Sequence, residues 1–275
     1  MNRWFKNRLT AVAPVCQQFW HTAGGRDRKH MGTVGKALDL LDLFTRAEPQ
    51  LGLSHLARAS GLNKATCHRL LTELESRGLL EQSGPAREYR LGPAVLRLSA
   101  LREAAVPTRE AAMPVLRRLA EATGETAHLS HLVAGRLQML AYAYASRPGV
   151  KVMMEDADIL PLHATASGAA VLAFGSAMET LISASPDPET LRTRVETTRA
   201  KGYAETLSTF EKDVHSFAVP LYDATGTCTG ALAVAAAAPR LTPALRATIT
   251  RELARSGAEI TQLWGGQPRL TGAAR

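Results

Sequence analysis

Residues 53–74 read LSHLARASGLNKATCHRLLTEL, two helical periods pressed together around a break too short for a free loop. Leu53, Leu56 and Ala57 recur at helical spacing, Gly61 interrupts, and Cys67, Leu70, Leu71 and Leu74 resume the pattern. Each segment carries one apolar stripe, and neither is long enough to persist alone. Asn63 suits the N-cap of the second helix, where its side chain accepts from a first-turn N–H. Leu62 can pack on Cys67 as a hydrophobic staple. Gly61 suits a left-handed residue closing the first helix, and Ala57 is small enough to let a crossing helix approach. Together these features describe a helix-turn-helix.

With Cys67, Leu70, Leu71 and Leu74 inward, Ala65, His68, Arg69 and Thr72 lie opposite, and Lys64 and Thr66 sit at the exposed helix start. With Ser54 and Asn63 they are candidate contacts to phosphates and base edges in a major groove. The competing reading is an ordinary helical hairpin with a solvated face. The next residues favour the first. Gly78 ends the helix after Arg77, and LLEQSGPAREYRL reads as two short strands around a Ser-Gly-Pro turn. A helix-turn-helix followed by a β-hairpin is a winged helix, with Arg87 and Arg90 on or beside the wing. Upstream, GTVGKALDLLDLF supplies Val34, Ala37, Leu38, Leu41 and Phe44 as one stripe of a preceding helix, completing a three-helix core.

At 275 residues and 45% apolar content the chain has room for two domains with their own cores. Its net charge of +8 is unevenly spread. Residues 1–31 hold Arg3, Lys6, Arg8, Arg26, Arg28 and Lys29 against Asp27, a net +5, whereas residues 32–92 hold eight Lys/Arg and seven Asp/Glu. DNA binding therefore rests on where Lys64, Arg69, Arg87 and Arg90 project, not on bulk charge. Cys16, Cys67 and Cys228 make no disulfide framework, which fits a reducing cytoplasm. No apolar run approaches the roughly 20 residues that span a bilayer, so no membrane partner is expected. The leader, with its basic start and apolar patch from Leu9 to Cys16, faintly resembles a signal peptide, but Pro14 and the DNA-reading module argue against secretion. Met31 as the true start is the simpler reading, with the preceding residues mis-called or disordered. Trp4, Phe5, Phe19 and Trp20 keep a packing role open.

After the wing, GPAVLRLSALREAA reads as a linker helix with Val95, Leu98 and Leu101 on one stripe, ended by Pro107. A second helix from about Arg109 to Thr123 turns Met113, Leu116, Leu119 and Ala120 inward. TAHLSHLVAGRLQMLAYAYA then reads as a hairpin broken at Ala134-Gly135, and ILPLHATASGAAVLAFG as an extended segment entering a helix. A helix is expected over Pro188 to Lys201, two strands around Asp223–Gly226, and a long amphipathic helix over LTPALRATITRELARSGAEITQLW. Antiparallel strands flanked by helices give the fold class α+β. The expected organisation is a leader (1–31), a winged helix-turn-helix (32–92), a linker helix (93–106), a sensor-type domain (107–265) and a tail (266–275).

NKATCHRLLTELESRGLL, LPLHATASG, RAKGYA and FAVPLYDATGTCTGALAV, in this order, resemble the IclR family of bacterial transcriptional regulators, and the resemblance runs from residue 32 to about 265. It implies a GAF-like effector-binding domain, a homodimer or a tetramer built from dimers, and operator binding modulated by a small organic molecule, often an aromatic or short-chain carboxylate. The chain departs from the family pattern in places. Ser208 and Thr209 stand at the usual acidic pair, Asp213 at a usual glycine, Ala169 at a usual lysine, and Ala233 and Ala235 at frequent small hydroxyls.

His163, Ala164, Thr165, Ser167 and Gly168 precede or open a predicted helix, where free N–H groups and the helix dipole favour a carboxylate. The plainer alternative is that Thr165 or Ser167 caps the helix and His163 packs at the surface. Met139, Tyr142 and Tyr144 either face the same cavity or are plain core. Ser216 and Ala218 share one strand face with Pro220, and with Ala233 and Ala235 opposite they make a mostly apolar wall. His128 and His131 alternate to opposite faces, and no cysteine has zinc-site spacing, so no metal and no cofactor is expected. No GxSxG elbow or Gly-rich phosphate loop is present, so no catalytic residue is named. The competing class is a GAF-like enzyme or free-standing sensor with a non-functional helix-turn-helix.

Overall fold

Gly61 closes one helix with φ at +70°, and Asn63 opens the next by accepting from Thr66 N at 2.8 Å. Only two residues separate the cap of one helix from the first residue of the other, so their apolar stripes must meet. The computed structural model describes residues 32–154, 159–176 and 178–268. The leader over 1–31, and residues 269–275 of the tail, lie outside them. The architecture is α+β, in two units that divide between Val106 and Pro107.

The first unit contains α1 (Thr33–Leu41), α2 (Leu53–Ser60), α3 (Lys64–Ser76), the hairpin β1 (Leu80–Ser83) and β2 (Glu88–Leu91), and α4 (Ala94–Ala105). Helix α3 buries Cys67, Leu70, Leu71 and Leu74 against Leu40, Leu56 and Tyr89, with Leu62 packed on the same cluster. It ends in a Schellman motif, Gly78 N to Glu75 O and Leu79 N to Leu74 O, which satisfies two terminal carbonyls. Leu51 exchanges both backbone hydrogen bonds with Tyr89 at 2.9 Å, tying the α1–α2 connection to the wing. The stripe expected for α1 needs correction. Val34 and Leu38 are 73% and 52% exposed, whereas Leu40 is fully buried. The inward line runs through Ala37, Leu40, Leu41 and, beyond the helix, Phe44. Val34 and Leu38 sit about 70° and 110° off its centre at 100° per residue. Helix α4 buries none of its residues, and Leu96, Leu98 and Leu101 are exposed.

The second unit is one six-stranded antiparallel sheet in the order β5-β4-β3-β8-β7-β6. Its strands are β3 (Thr126–Val133), β4 (Arg136–Ala143), β5 (Ile159–Leu160), β6 (Ala204–Leu207), β7 (Val214–Tyr222) and β8 (Cys228–Ala237). The helices are α5 (Thr108–Thr123), α6 (Ala166–Phe174), α7 (Glu179–Ser183), α8 (Pro188–Lys201) and α9 (Pro243–Leu263). Helices α5 and α9 cover one face, packing Leu116, Leu119, Leu253 and Ile260 on Leu129, Phe217 and Leu232. Helix α6 covers the other, with Ala169 and Ala170 against Ala218, Ala231 and Ala233. Helix α8 packs on α6 through Leu191 and Val195 against Leu172. An element enclosed on both sides has no polar face, and Ala166 through Ala173 are all buried. Strand β4 carries a bulge: Leu129 pairs with Ala141 and Ser130 with Met139, so Leu140 is the extra residue. The bulge puts Met139 and Tyr142, three apart, on one face, which strict alternation forbids.

Candidate functional site

On α3 the inward set leaves Lys64, Ala65, His68, Arg69 and Thr72 exposed and Thr66 half-buried. Thr72 returns its hydroxyl to His68 O at 3.0 Å, so its polar atom is partly spent within the helix. Lys64 and Arg69 pair with no carboxylate among the described residues. Ser54 is exposed at the start of α2, and the side chain of Asn63 is occupied as the cap. On the hairpin, Arg90 pairs with Glu81 at 2.6 Å across the strands, and Arg87 Nε donates to Gln82 Oε1 at 3.1 Å. The surface therefore offers two unpaired cations on the helix and two arginines already engaged within the wing.

At the other candidate site, Thr165 caps α6. Its Oγ1 accepts from Gly168 N at 3.0 Å and donates to Pro161 O at 2.9 Å, so its proton is committed and only one lone pair remains. A Cβ on Gly168 would stand 2.2 Å from Leu162 O, so only glycine lets α6 lie against the preceding loop. Register places Ser216 opposite Ala235 and Ala218 opposite Ala233. His128 lies between Tyr142 on β4 and Ala233 on β8, and its Nε2 is 3.4 Å from Ser167 Oγ. Burial pushes this imidazole down to about 4, so it is neutral near pH 7. Met139, Tyr142, Ser167, Ala218, Ala233 and His128 thus gather around α6 and the sheet face under it, with Ser216 half-buried near one edge. Tyr144 bonds the backbone of Met154 through its hydroxyl, and Thr126 donates to Val152 O, so residues 152–154 are tied to β3 and β4.

His163 and Ala164 border a different space. Arg194 Nη1 donates to His163 O at 2.7 Å and Thr209 Oγ1 to Ala164 O at 2.8 Å. With Asp187 and Thr190 these residues line a cavity of about 200 Å³ that no alanine of the sheet borders. A second cavity, about 360 Å³, follows α8 along Thr193, Arg194 and Thr197 to Glu205. Burial lowers both His163 and Arg194, and the nearby guanidinium lowers His163 further. His128 and His131 do face oppositely, His131 meeting the ring of Trp264 edge-on at 5.7 Å. Among the described residues no group of three His, Cys, Asp or Glu is placed to hold a metal ion.

The family model for the IclR helix-turn-helix domain matches residues 33–84, and that for the C-terminal domain of the bacterial transcriptional regulator IclR matches 102–262. The chain belongs to the IclR family of transcriptional regulators. Across 255 residues it is 27% identical to the HTH-type transcriptional regulator XynR of Escherichia coli, covering 85% of this chain and 97% of that one. It is 29% identical to the glycerol operon regulatory protein of Streptomyces coelicolor, over 78% of this chain and 87% of that one. An IclR-type transcriptional regulator structure from Silicibacter sp. TM1040 superposes with a TM-score of 0.82 at 46% identity, covering 87% of this chain and 99% of that one. An IclR homologue from Microbacterium hydrocarbonoxydans, complexed with 4-hydroxybenzoate, shares the fold at a TM-score of 0.67 and 23% identity, covering 84% of this chain and 98% of that one.

Two of the departures from the IclR pattern have a structural expression. Ser208 and Asp213 bracket the β6–β7 turn with φ of +51° and +60°. Asp213 tolerates that conformation better than most L residues, because a short polar side chain suits the left-handed region. Two residues at these sites carry no local sequence signal, His128 and Arg194. The alternation of His128 with His131 along the strand bears only on metal binding, and the residue gains meaning only when register sets Ala233 and Tyr142 beside it. For Arg194, nothing local in PETLRTRVETTRAK shows that its guanidinium reaches the carbonyl of His163.

Proposed function

We propose that this IclR-family chain binds double-stranded operator DNA as a homodimer through residues 32–92, and that a small carboxylate bound within 107–265 changes its affinity for that DNA. The observation that carries the DNA reading is the outer face of α3, where Lys64 and Arg69 are exposed and unpaired on a helix locked by four buried residues. Such a helix presents the bases with a rigid surface to which Ser54, Asn63, Thr66, His68 and Thr72 add polar groups and Ala65 a methyl contact, with Arg87 and Arg90 on the wing. Exposed Val34, Leu38, Leu98 and Leu101 supply apolar surface for self-association, including pairing into a tetramer.

For the effector, support comes from the start of α6, where Ala166 and Ser167 keep N–H groups without intrahelical partners beside a largely apolar face. Met139, Tyr142, Ser216, Ala218, Ala233 and Ala235 supply walls, and His163, Ala164, Thr165 and Gly168 shape the entry to the helix. The 4-hydroxybenzoate in the Microbacterium protein is an acid of the proposed class. The regulated operon is one for catabolism of such an acid. Selection of duplexes from a random pool by the full chain tests the DNA reading. A recovered motif of two half-sites about one helical turn apart supports it, and a pool that stays random overturns it.

A further inference from the structure

His128 is 5% exposed, and its Nδ1 has no hydrogen-bond partner among the described residues. A buried polar atom left idle costs stability, and its persistence calls for an explanation. Among the described residues, the ring's cross-strand neighbours are Tyr142 on β4 and Ala233 on β8 and its hydrogen-bonding neighbour is Ser167 on α6, none of them an acidic or basic residue. Tyr144, one residue past the end of β4, has Lys151 over its ring at 5.9 Å. Desolvation by burial is the sole cause of the imidazole's lowered pKa, with no charged neighbour contributing. Directly beside it α6 begins: Thr165 takes the N–H of Gly168, while those of Ala166 and Ser167 lack intrahelical partners at the positive end of the helix dipole.

We propose that His128 takes up a proton from solvent when a carboxylate seats at the start of α6, so that the acid and the imidazolium bind as an ion pair. The inference rests on the carboxylate reading given above. An anion within hydrogen-bonding reach reverses the desolvation argument, because it favours the charged form that burial disfavours. Protonation adds one N–H bond on the ring and breaks no bond of the ligand. It makes both ring nitrogens donors, one available to Ser167 Oγ and one to the acid. Neutral analogues such as amides and alcohols gain nothing from that proton, so the site selects acids over isosteres of the same shape.

The test is calorimetry of the full chain with benzoate, 4-hydroxybenzoate and butyrate, in two buffers of different ionisation enthalpy at about pH 6. The expected result is about one proton taken up per acid bound, with affinity tightening by up to about tenfold per pH unit between about pH 7 and 5. His128→Gln removes both effects. The wild-type proton count needs no variant, so it stands even if the glutamine protein folds poorly. An acid that binds without proton uptake overturns this inference and leaves the carboxylate reading intact. Failure of all three acids to bind overturns the carboxylate reading and this inference with it.

Discussion

Arg69 and Lys64 reach outward because Cys67, Leu70, Leu71 and Leu74 leave α3 no other orientation. Their chemistry divides their roles. A guanidinium within the helix can pair bidentately with a guanine edge, whereas an ammonium at the helix start meets phosphate as a point charge. Arg69→Ala is expected to cost about 1–3 kcal/mol at one base step and to relax specificity there. Lys64→Ala is expected to weaken all sequences alike and to reduce the salt slope by about one. Binding to single-substituted operators separates the two, and wild-type behaviour from both variants refutes the assignment. His128 sets a second residue-scale expectation. Its ring titrates near 6.5 when unfolded and near 4 when folded, so below about pH 6.5 the unfolded chain binds a proton that the folded chain refuses. Stability from this group is therefore complete above about pH 6.5 and is lost as pH falls toward about 4, by about 3 kcal/mol. Urea unfolding across that range checks it: His128→Gln is expected to lose less stability on acidification than wild type.

Among the elements, α6 depends on a single glycine for its packing. With Gly168 so close to Leu162 O, Gly168→Ala must push the loop at Pro161–Thr165 away from the helix or break the Thr165 cap. The expected loss is about 1–3 kcal/mol, read as a lower melting temperature, even though alanine has the better helix propensity. A variant as stable as wild type contradicts the close packing. The element scale also shows what the amino-acid order makes legible. Asn63, Gly61 and Gly78 carry local signals that act within four residues, so the helix-turn-helix and its ends could be read directly. Of the stripe expected for α1, Ala37, Leu41 and Phe44 pack on the core while Val34 and Leu38 do not, because Leu40 lies on a second helical line through the same residues and only the position of α3 decides between the two. The shared face of Met139 and Tyr142 depends on a bulge at Leu140 that no local residue announces. Candidate effector residues on β7 and β8 were legible as strand faces, but their covering by α6 is a packing outcome.

For the whole molecule, the proposed function requires that the unit ending at Val106 and the unit beginning at Pro107 exchange free energy. A carboxylate that bound two states of the dimer equally would change nothing, however tightly it bound. The leader's expected contribution at this scale is its charge. Deleting residues 1–30 removes a net +5, Met31 being uncharged, and is expected to leave folding and operator specificity unchanged while lowering non-specific affinity and its salt dependence. A truncated protein that melts markedly earlier contradicts that expectation. The central claim is the linkage between acid and DNA, and fluorescence anisotropy of the full chain on its selected operator measures it most directly. The account predicts that a saturating carboxylate identified by calorimetry shifts the operator Kd by at least about fivefold, about 1 kcal/mol of coupling, and that operator DNA shifts the affinity for the acid by the same factor. An acid that binds the chain and leaves the operator Kd unchanged contradicts it.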